Sequence, residues 1–249
     1  MKTIHNWSNF RINHFKKIDS TNSYLLQQAK INQASEFDLI VADEQTSGRG
    51  RNNRKWHSYS KNLHFSFLLK PKIAINKICQ LSFLSTIALG NVIDNLSNQV
   101  QKNINISYKW PNDLLINNQK IAGILIEGNL IQNDYQFLVV GIGVNINKNP
   151  LDTIFPATNL AEHQIVIDKM EFLRLFLEQF SLLYQSWLDF GFAILRKIWI
   201  KKAFKYGEYL QLTIDNQKIE GIFKDIDEIG NLLLEQNNII KIINFAEIL

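Results

Sequence analysis

The sequence predicts an α+β chain, with a mixed central sheet flanked by helices and a small β-barrel-like module after it. Three observations carry that expectation. Several long segments place apolar residues at helical spacing. Short apolar or alternating stretches lie between them. Beyond Lys205 the texture changes to short strands separated by Asp- and Asn-rich turns.

Taken in order, Asp19, Ser20, Thr21 and Asn22 offer caps for a helix to Ile31 whose apolar face is Leu25, Leu26 and Ala29. Asp38 to Glu44 is a short buried strand. The next strand alternates Leu63, Phe65, Phe67 and Leu69 on one side. Asn76 to Leu96 carries Ile78, Leu81, Leu84, Ala88, Val92 and Leu96 at helical spacing. Three strands joined by tight turns follow: ISYKW to the Pro-Asn-Asp turn, DLLI to NNQ, and KIAGILIEG to the polar NLIQND. YQFLVVGIGVNIN is the next strand, with glycines that let the backbone approach a neighbour or ligand closely, and Met170 to Phe190 and Ala193 to Lys205 are amphipathic helices. YLQLTI, QKIEGIF, NLLLEQ and IIKIINF then form the small β module. The expected domains are residues 1–205 and 206–249.

At 249 residues and 46% hydrophobic, the chain is long enough to bury a substantial core. The net charge of +4 permits an anionic ligand without arguing for nucleic acid. The single cysteine, Cys79, excludes a disulfide framework and a Cys-rich zinc site, and its apolar setting predicts a structural thiol. The first residues, MKTIHNWSNFRINHF, contain no apolar run long enough for a signal peptide, and no stretch approaches the length of a membrane span. The five histidines show no metal-ligand spacing. A soluble, cytoplasmic protein is expected.

TSGRGRNNRKWH, Thr46 to His57, stands out because it crowds two glycines, three arginines and a lysine into one loop. Gly48 and Gly50 suit a backbone that other residues resist and that approaches an anion closely. Arg49, Arg51, Arg54 and Lys55 add donors suited to carboxylate or phosphate, and Trp56 offers a flat face to a purine. The loop is not a Walker A or dinucleotide fingerprint. On composition alone it is a solvated surface loop, a nucleic-acid arm or a ligand clamp. KWPND gathers a cation (Lys109), an aromatic (Trp110) and a carboxylate (Asp113) around a proline-fixed turn, which is a plain hairpin corner or a phosphate and magnesium site. Lys120 either guards a strand edge or points into a pocket beneath the strand that Gly123 interrupts. Ser20, Thr21 and Asn22 cap a helix whose start also favours an anion, and Gln45 offers one donor and one acceptor. With no Ser-His-Asp grouping and no paired carboxylates, what remains is a cationic site that works by positioning and charge neutralisation.

Together these stretches resemble the biotin protein ligase family. DSTN, ADEQTSGRGRNNRKW, KWPND, KIAGILIE and GIGVNIN occur in the family's order across nearly the whole chain. The resemblance implies a class II synthetase-like catalytic fold and a ligase that joins biotin to ATP as biotinyl-5'-AMP. The biotinyl group then passes to a lysine of a biotin carboxyl carrier protein, usually that of acetyl-CoA carboxylase. It implies biotin contacts from Ser20, Thr21, Asn22, Gln45, Gly48, Arg49, Gly50, Arg51, Lys120 and Gly123. ATP contacts are implied for Arg51, Trp56, Lys109, Asn112, Asp113 and Asn145, magnesium ligands for Asp113 and Asn145, and catalytic roles for Lys120, Arg51 and Lys109. Only 18 residues precede Asp19, so a DNA-binding domain and repressor activity are not expected. The C-terminal arginine that some members place near ATP has no counterpart. A lipoate ligase or octanoyl transferase of the same fold is the nearest alternative, and a nucleic-acid-binding protein is the alternative of a different class. No membrane partner is expected, and the edge strands are open either to a homodimer or to the carrier.

Overall fold

In the computed structural model, residues 3–7, 9–131, 134–153, 155–214, 217–244 and 247–248 are described. Eight strands form one sheet: β1 (Thr3–Trp7), β2 (Phe10–Ile18), β3 (Asp38–Gln45), β4 (Leu63–Leu69), β5 (Ile106–Lys109), β6 (Asp113–Ile116), β7 (Gln119–Ile131) and β8 (Asp134–Val144). Their order is β1-β2-β3-β4-β8-β7-β6-β5, with β2 and β3 parallel and every other pair antiparallel. Four helices flank it: α1 (Thr21–Lys30), α2 (Gln80–Gln99), α3 (Lys169–Phe190) and α4 (Phe192–Ile200). A second, antiparallel sheet holds β9 (Tyr209–Ile214), β10 (Gln217–Ile226), β11 (Leu232–Gln236), β12 (Ile239–Ile243) and β13 (Glu247–Ile248) in the order β12-β11-β10-β9-β13.

The large sheet has two unlike faces, and period-two alternation decides which residues go where. Leu63, Phe65, Phe67 and Leu69 of β4 join Leu138, Val140, Ile142 and Val144 of β8 in the main core, under α2 and α3. Phe176 and Phe180 of α3 meet Phe65 and Phe67 edge-on, with ring centroids 5.2 and 4.8 Å apart. On the opposite face a smaller cluster of Leu25, Ala29, Ile40, Leu68, Phe137 and Val139 seats α1 at one end of the sheet. The alternate positions nearer the middle of that face are His64 and Ser66 on β4 and Gly141 and Gly143 on β8, paired with each other across the strands. There the sheet offers polar atoms and open space instead of apolar side chains.

Two helix boundaries differ from the periodicity. Residues 75–77 form a 3-10 turn, so α2 begins at Gln80. The last helix stops at Ile200 instead of Lys205 because the following backbone turns aside to pair with Tyr108, whose N–H donates to Lys202 O at 2.8 Å and whose carbonyl accepts from Phe204 N at 2.8 Å. The strands β1 and β2 went unread because Arg, Asn, His and Lys interrupt their apolar positions. The Asp215-Asn216 turn, the Gln132-Asn133 pair and Phe245 lie outside the described residues.

The small sheet is tied to the large unit by the turn between β10 and β11. Gly230 O accepts from the buried Trp110 indole at 3.0 Å, Glu228 O from Gln80 Nε2 at 2.8 Å, and Ile229 O from Cys79 Sγ at 2.6 Å. Burial pushes the Cys79 thiol up to about 11, which suits the structural role expected of it. Asp227 shapes the turn by accepting from the backbone of Ile229 and Asn231. Arg196 of α4 adds an ion pair to Asp225.

Candidate functional site

A cavity of about 290 Å³ opens on the half-polar face of the large sheet. Its lining includes Ser20, Thr21 and Asn22 at the start of α1, and Gln45, Arg49, Gly50, Arg51 and Trp56 from the end of β3 and the loop after it. Lys109, Asn112 and Asp113 reach it from the β5–β6 turn, Lys120 and Gly123 from β7, and Asn145 from beyond β8. Segments far apart in sequence therefore converge on one place. Gly48 alone of the residues named from sequence is not in the lining.

One end of the cavity is neutral and dense in hydrogen bonds. Ser20 caps α1, its side chain accepting from Ser23 N. Gln45 Oε1 accepts from Thr21 N at 2.9 Å and Thr21 Oγ1 at 3.1 Å. Ser66 Oγ lies 2.7 Å from Thr21 Oγ1 and 2.6 Å from Asn22 Oδ1, fully buried beneath them. Thr21 and Asn22 lie almost without solvent exposure, their side chains held by Gln45, Ser66 and Glu127.

The other end is cationic. Lys120 Nζ sits 2.7 Å from Asp113 Oδ1, a pair set up by the β6–β7 hairpin register. Lys109 is 7% exposed, its ammonium 3.3 Å from the centre of the Phe155 ring. The turn between them is strapped to β7 by Asn112 Nδ2 donating to Ile124 O at 2.6 Å and by Ile124 N donating to Asn112 O at 3.0 Å. The Trp110–Pro111 peptide within it is cis.

The basic loop folds on itself as a small hairpin. Trp56 N donates to Gly48 O at 2.9 Å, and Arg49 and Lys55 form an antiparallel bridge. From its tip Arg51 Nη1 donates to Asn112 Oδ1 at 3.2 Å, so the loop touches the lysine-bearing turn. The two motif glycines do not supply left-handed backbone, as the sequence led one to expect. The described glycines with positive φ are Gly191, Gly207 and Gly230, and Gly50 has φ −107°. Gly48 serves close approach instead, since a Cβ there would stand 2.9 Å from Trp56 O.

Trp56 lies across the glycine floor. A Cβ on Gly143 would meet its ring at 2.3 Å, and one on Gly123 would meet it at 3.2 Å. Lys120 Nζ is 5.7 Å from the ring centre. The indole is held by His64, which sequence reasoning passed over: Nε1–H donates to Nδ1 at 3.3 Å, so Nδ1 is the bare nitrogen and Nε2–H faces Tyr59 O at 3.3 Å. Burial pushes His64 down to about 4, against the opposing pull of the Tyr59 carbonyl. The unfolded imidazole takes up a proton near pH 6.5 and the folded one only near pH 4. The fold therefore loses stability as pH falls through that window, by up to about 3 kcal/mol. We expect His64→Asn to flatten the dependence of Tm on pH between 6.5 and 4, and an unchanged slope would place the titration elsewhere.

Ser66 was also missed as a site residue, while Gly141 and Gly143, read only as allowing close backbone approach, line the cavity. The signal lay in the polar members of HFSF and in the two glycines of GIG at one-residue spacing, which share a face of the sheet. Asn145 is 2% exposed. Its Nδ2 donates to Thr158 O at 3.1 Å, and its Oδ1 lies 3.4 Å from Asn62 Nδ2.

The sequence profile of the biotin/lipoate A/B protein ligase family matches residues 14–145, more than half of the chain. The chain belongs to this family. The profile of the biotin protein ligase C terminal domain matches residues 210–249. The chain is 35% identical over 225 residues to the bifunctional ligase/repressor BirA of Bacillus subtilis, covering 87% of this chain and 67% of that one. It is 33% identical to the biotin–[acetyl-CoA-carboxylase] ligase of Paracoccus denitrificans, covering 88% of this chain and 91% of that one. Among solved structures, biotin protein ligase from Aquifex aeolicus in complex with biotin and ATP superposes with a TM-score of 0.81 at 30% identity, over 95% of this chain and 97% of that one. The mixed sheet with its small C-terminal sheet is the biotin ligase fold. No helix among the described residues is long and apolar enough to cross a membrane.

Proposed function

We propose that this chain activates biotin with ATP and transfers it to one lysine of a biotin carboxyl carrier protein or of the carrier domain of acetyl-CoA carboxylase. The observation that carries this proposal is a single cavity with an amide-reading end at Thr21, Asn22 and Gln45 and a cationic end at Arg51, Lys109 and Lys120. Biotin has that polarity, with a cyclic urea at one end and a carboxylate at the other. In the first step a biotin carboxylate oxygen attacks the α-phosphorus, the bond to the β-phosphate breaks, and pyrophosphate leaves. In the second, the lysine ε-amine attacks the acyl carbon, the bond to AMP breaks, and the amine proton goes to solvent.

Two anions must be brought together in the first step, so fixed cations contribute more than proton transfer. Lys120 would hold the biotin carboxylate and the α-phosphate oxygens, with Lys109 at phosphate and Arg51 closing from the loop. Ser20, Thr21, Asn22 and Gln45 would orient the urea, with Gly123 in the floor. We assign Trp56, Asn112 and Asn145 to the nucleotide side, Asn145 as part of the frame because both of its amide atoms face neighbours. Asp113 fits magnesium: it is the carboxylate in the cavity lining, and magnesium commonly binds through one or two carboxylates plus substrate phosphates. Bound there with ATP, the ion would neutralise phosphate charge. We assign the basic loop to ligand and not to DNA because Arg49, Gly50 and Arg51 all face the cavity. We also propose that residues 1–205 form the catalytic unit and 206–249 the C-terminal one.

The decisive test is incubation with ATP, magnesium, biotin and a carrier domain, followed by intact-mass measurement. The carrier should gain one biotinyl group, and modification by lipoate without biotin would overturn the assignment. Arg51→Ala is expected to release biotinyl-adenylate into solution during a single turnover. Full retention of the adenylate would remove Arg51 from the closing role.

A further inference from the structure

Glu127 has no part in the chemistry above, yet it sits where two pieces of the site meet. It lies on β7 two and four residues beyond Leu125 and Gly123, on the same face. Its Oε2 accepts from Asn22 Nδ2 at 2.8 Å, and its carboxylate pairs with Arg49 Nη2 at 3.1 Å. The same Nη2 donates to Ser23 Oγ at 3.1 Å. One carboxylate is thus shared by the start of α1 and the stem of the basic loop.

Building on the proposed activity, we infer that Glu127 is a positioning residue that latches the 46–57 loop to the start of α1 and so sets how long the adenylate is retained. Arg49 faces Lys55 across the loop's hairpin, so fixing Arg49 fixes the stem whose tip carries Arg51 and whose far strand carries Trp56. Arg49, Arg51, Arg54 and Lys55 repel one another within one turn of chain, and Glu127 gives that charge an anchor. At the loop's base, backbone bonds run from Thr46 N to Ile18 O and from Ser47 N to Asp19 O, and Gln45 N donates to Ser58 Oγ. His64 holds Trp56 on the far strand of the stem, while Glu127 supplies the ion pair to Arg49 on the near strand. Because Arg49 is 36% and Glu127 25% exposed at the side chain, added salt weakens the latch.

The test compares Glu127→Ala and Glu127→Gln with the wild type in two measurements. The first is amide hydrogen exchange across residues 46–57 without ligand. The second is the rate at which biotinyl-adenylate dissociates after a single turnover. Loss of the ion pair to Arg49, together with the bond from Asn22, predicts exchange and dissociation faster by at least about tenfold in Glu127→Ala. Glu127→Gln, which keeps one acceptor, should fall between, and exchange elsewhere in β7 and β8 should not change. High salt should move the wild type in the same direction. Loop exchange unchanged in Glu127→Ala overturns the latch. So does exchange that rises equally across the whole sheet, which would mean a general loss of packing. Should Glu127→Ala not fold, Glu127→Gln and the salt series carry the same comparison. The exchange measurement needs no turnover, so a wild type that makes no adenylate would refute the proposed activity and leave the latch to be judged separately.

Discussion

Lys120→Ala is expected to slow biotinyl-adenylate formation by roughly 30- to 1,000-fold, the rate equivalent of ~2–4 kcal/mol in the barrier. The size of the effect follows from what the lysine leaves behind. Its ammonium sits 2.7 Å from Asp113 Oδ1, and the Asp113 side chain is only 16% exposed. Without Lys120 the incoming phosphate loses a cation, and Asp113 loses the ammonium that faces it. Single-turnover release of pyrophosphate is the measurement. Biotin affinity, followed by calorimetry, should fall less than the rate, because the contacts proposed for the urea at Thr21, Asn22 and Gln45 are left intact. Near-wild-type pyrophosphate release would refute the role given to Lys120.

The second large effect is expected from a single added methyl. A Cβ on Gly141 would lie 2.0 Å from Asn22 Oδ1 and 2.7 Å from its Cγ. The strand cannot retreat, since Gly141 is paired on one side with Ser66 of β4 and on the other with Leu125 of β7. Asn22 cannot retreat without giving up Glu127 and Ser66. We therefore expect Gly141→Ala to cost about 1–3 kcal/mol of stability through overpacking and to weaken biotin binding by at least about tenfold. Calorimetry with biotin, alongside a thermal melt, checks both. Gly50→Ala is the contrast in stability: its Cβ would meet no protein atom nearer than 3.6 Å, so its Tm should stay close to wild type. Equal losses of stability in the two variants would mean that crowding over the sheet is not what makes Gly141 necessary.

The contrast between Gly50 and Gly141 also shows where the sequence was legible. Charged and glycine-rich motifs announce a site by chemistry, and all the motif side chains named from sequence reach one cavity. What each glycine does is not visible in a motif, because close approach depends on what crosses the sheet from another segment. Gly141 is explained by Asn22, 119 residues earlier in the chain and brought over it by α1. His64 was hidden for a related reason. Between the buried Leu63 and Phe65 a polar residue looks like the solvent side of a strand, and only the loop's return over β4 turns it into the partner of Trp56. The core strands and long helices were readable from periodicity alone. β2 was not, because its polar residues suppress the alternation of Phe10 and Ile12, both of which are buried. The end of α4 escaped for lack of any local stop signal, its length being set by the pairing of residues 202–204 with Tyr108.

The bond from Trp110 to Gly230 spans 120 residues and reaches into the turn that carries Lys109 and Asn112. During translation the ribosome makes every strand of the large sheet before it makes Gly230, and folding of the earlier part can begin at once. Until Gly230 emerges, the indole N–H beside the cationic end is a donor waiting for its acceptor, in a place where water is later excluded. A product of stalled translation that ends before this turn would carry the strands and the helix start of the neutral end, but a cationic end without its brace. The order of synthesis thus leaves the brace of the cationic half for last.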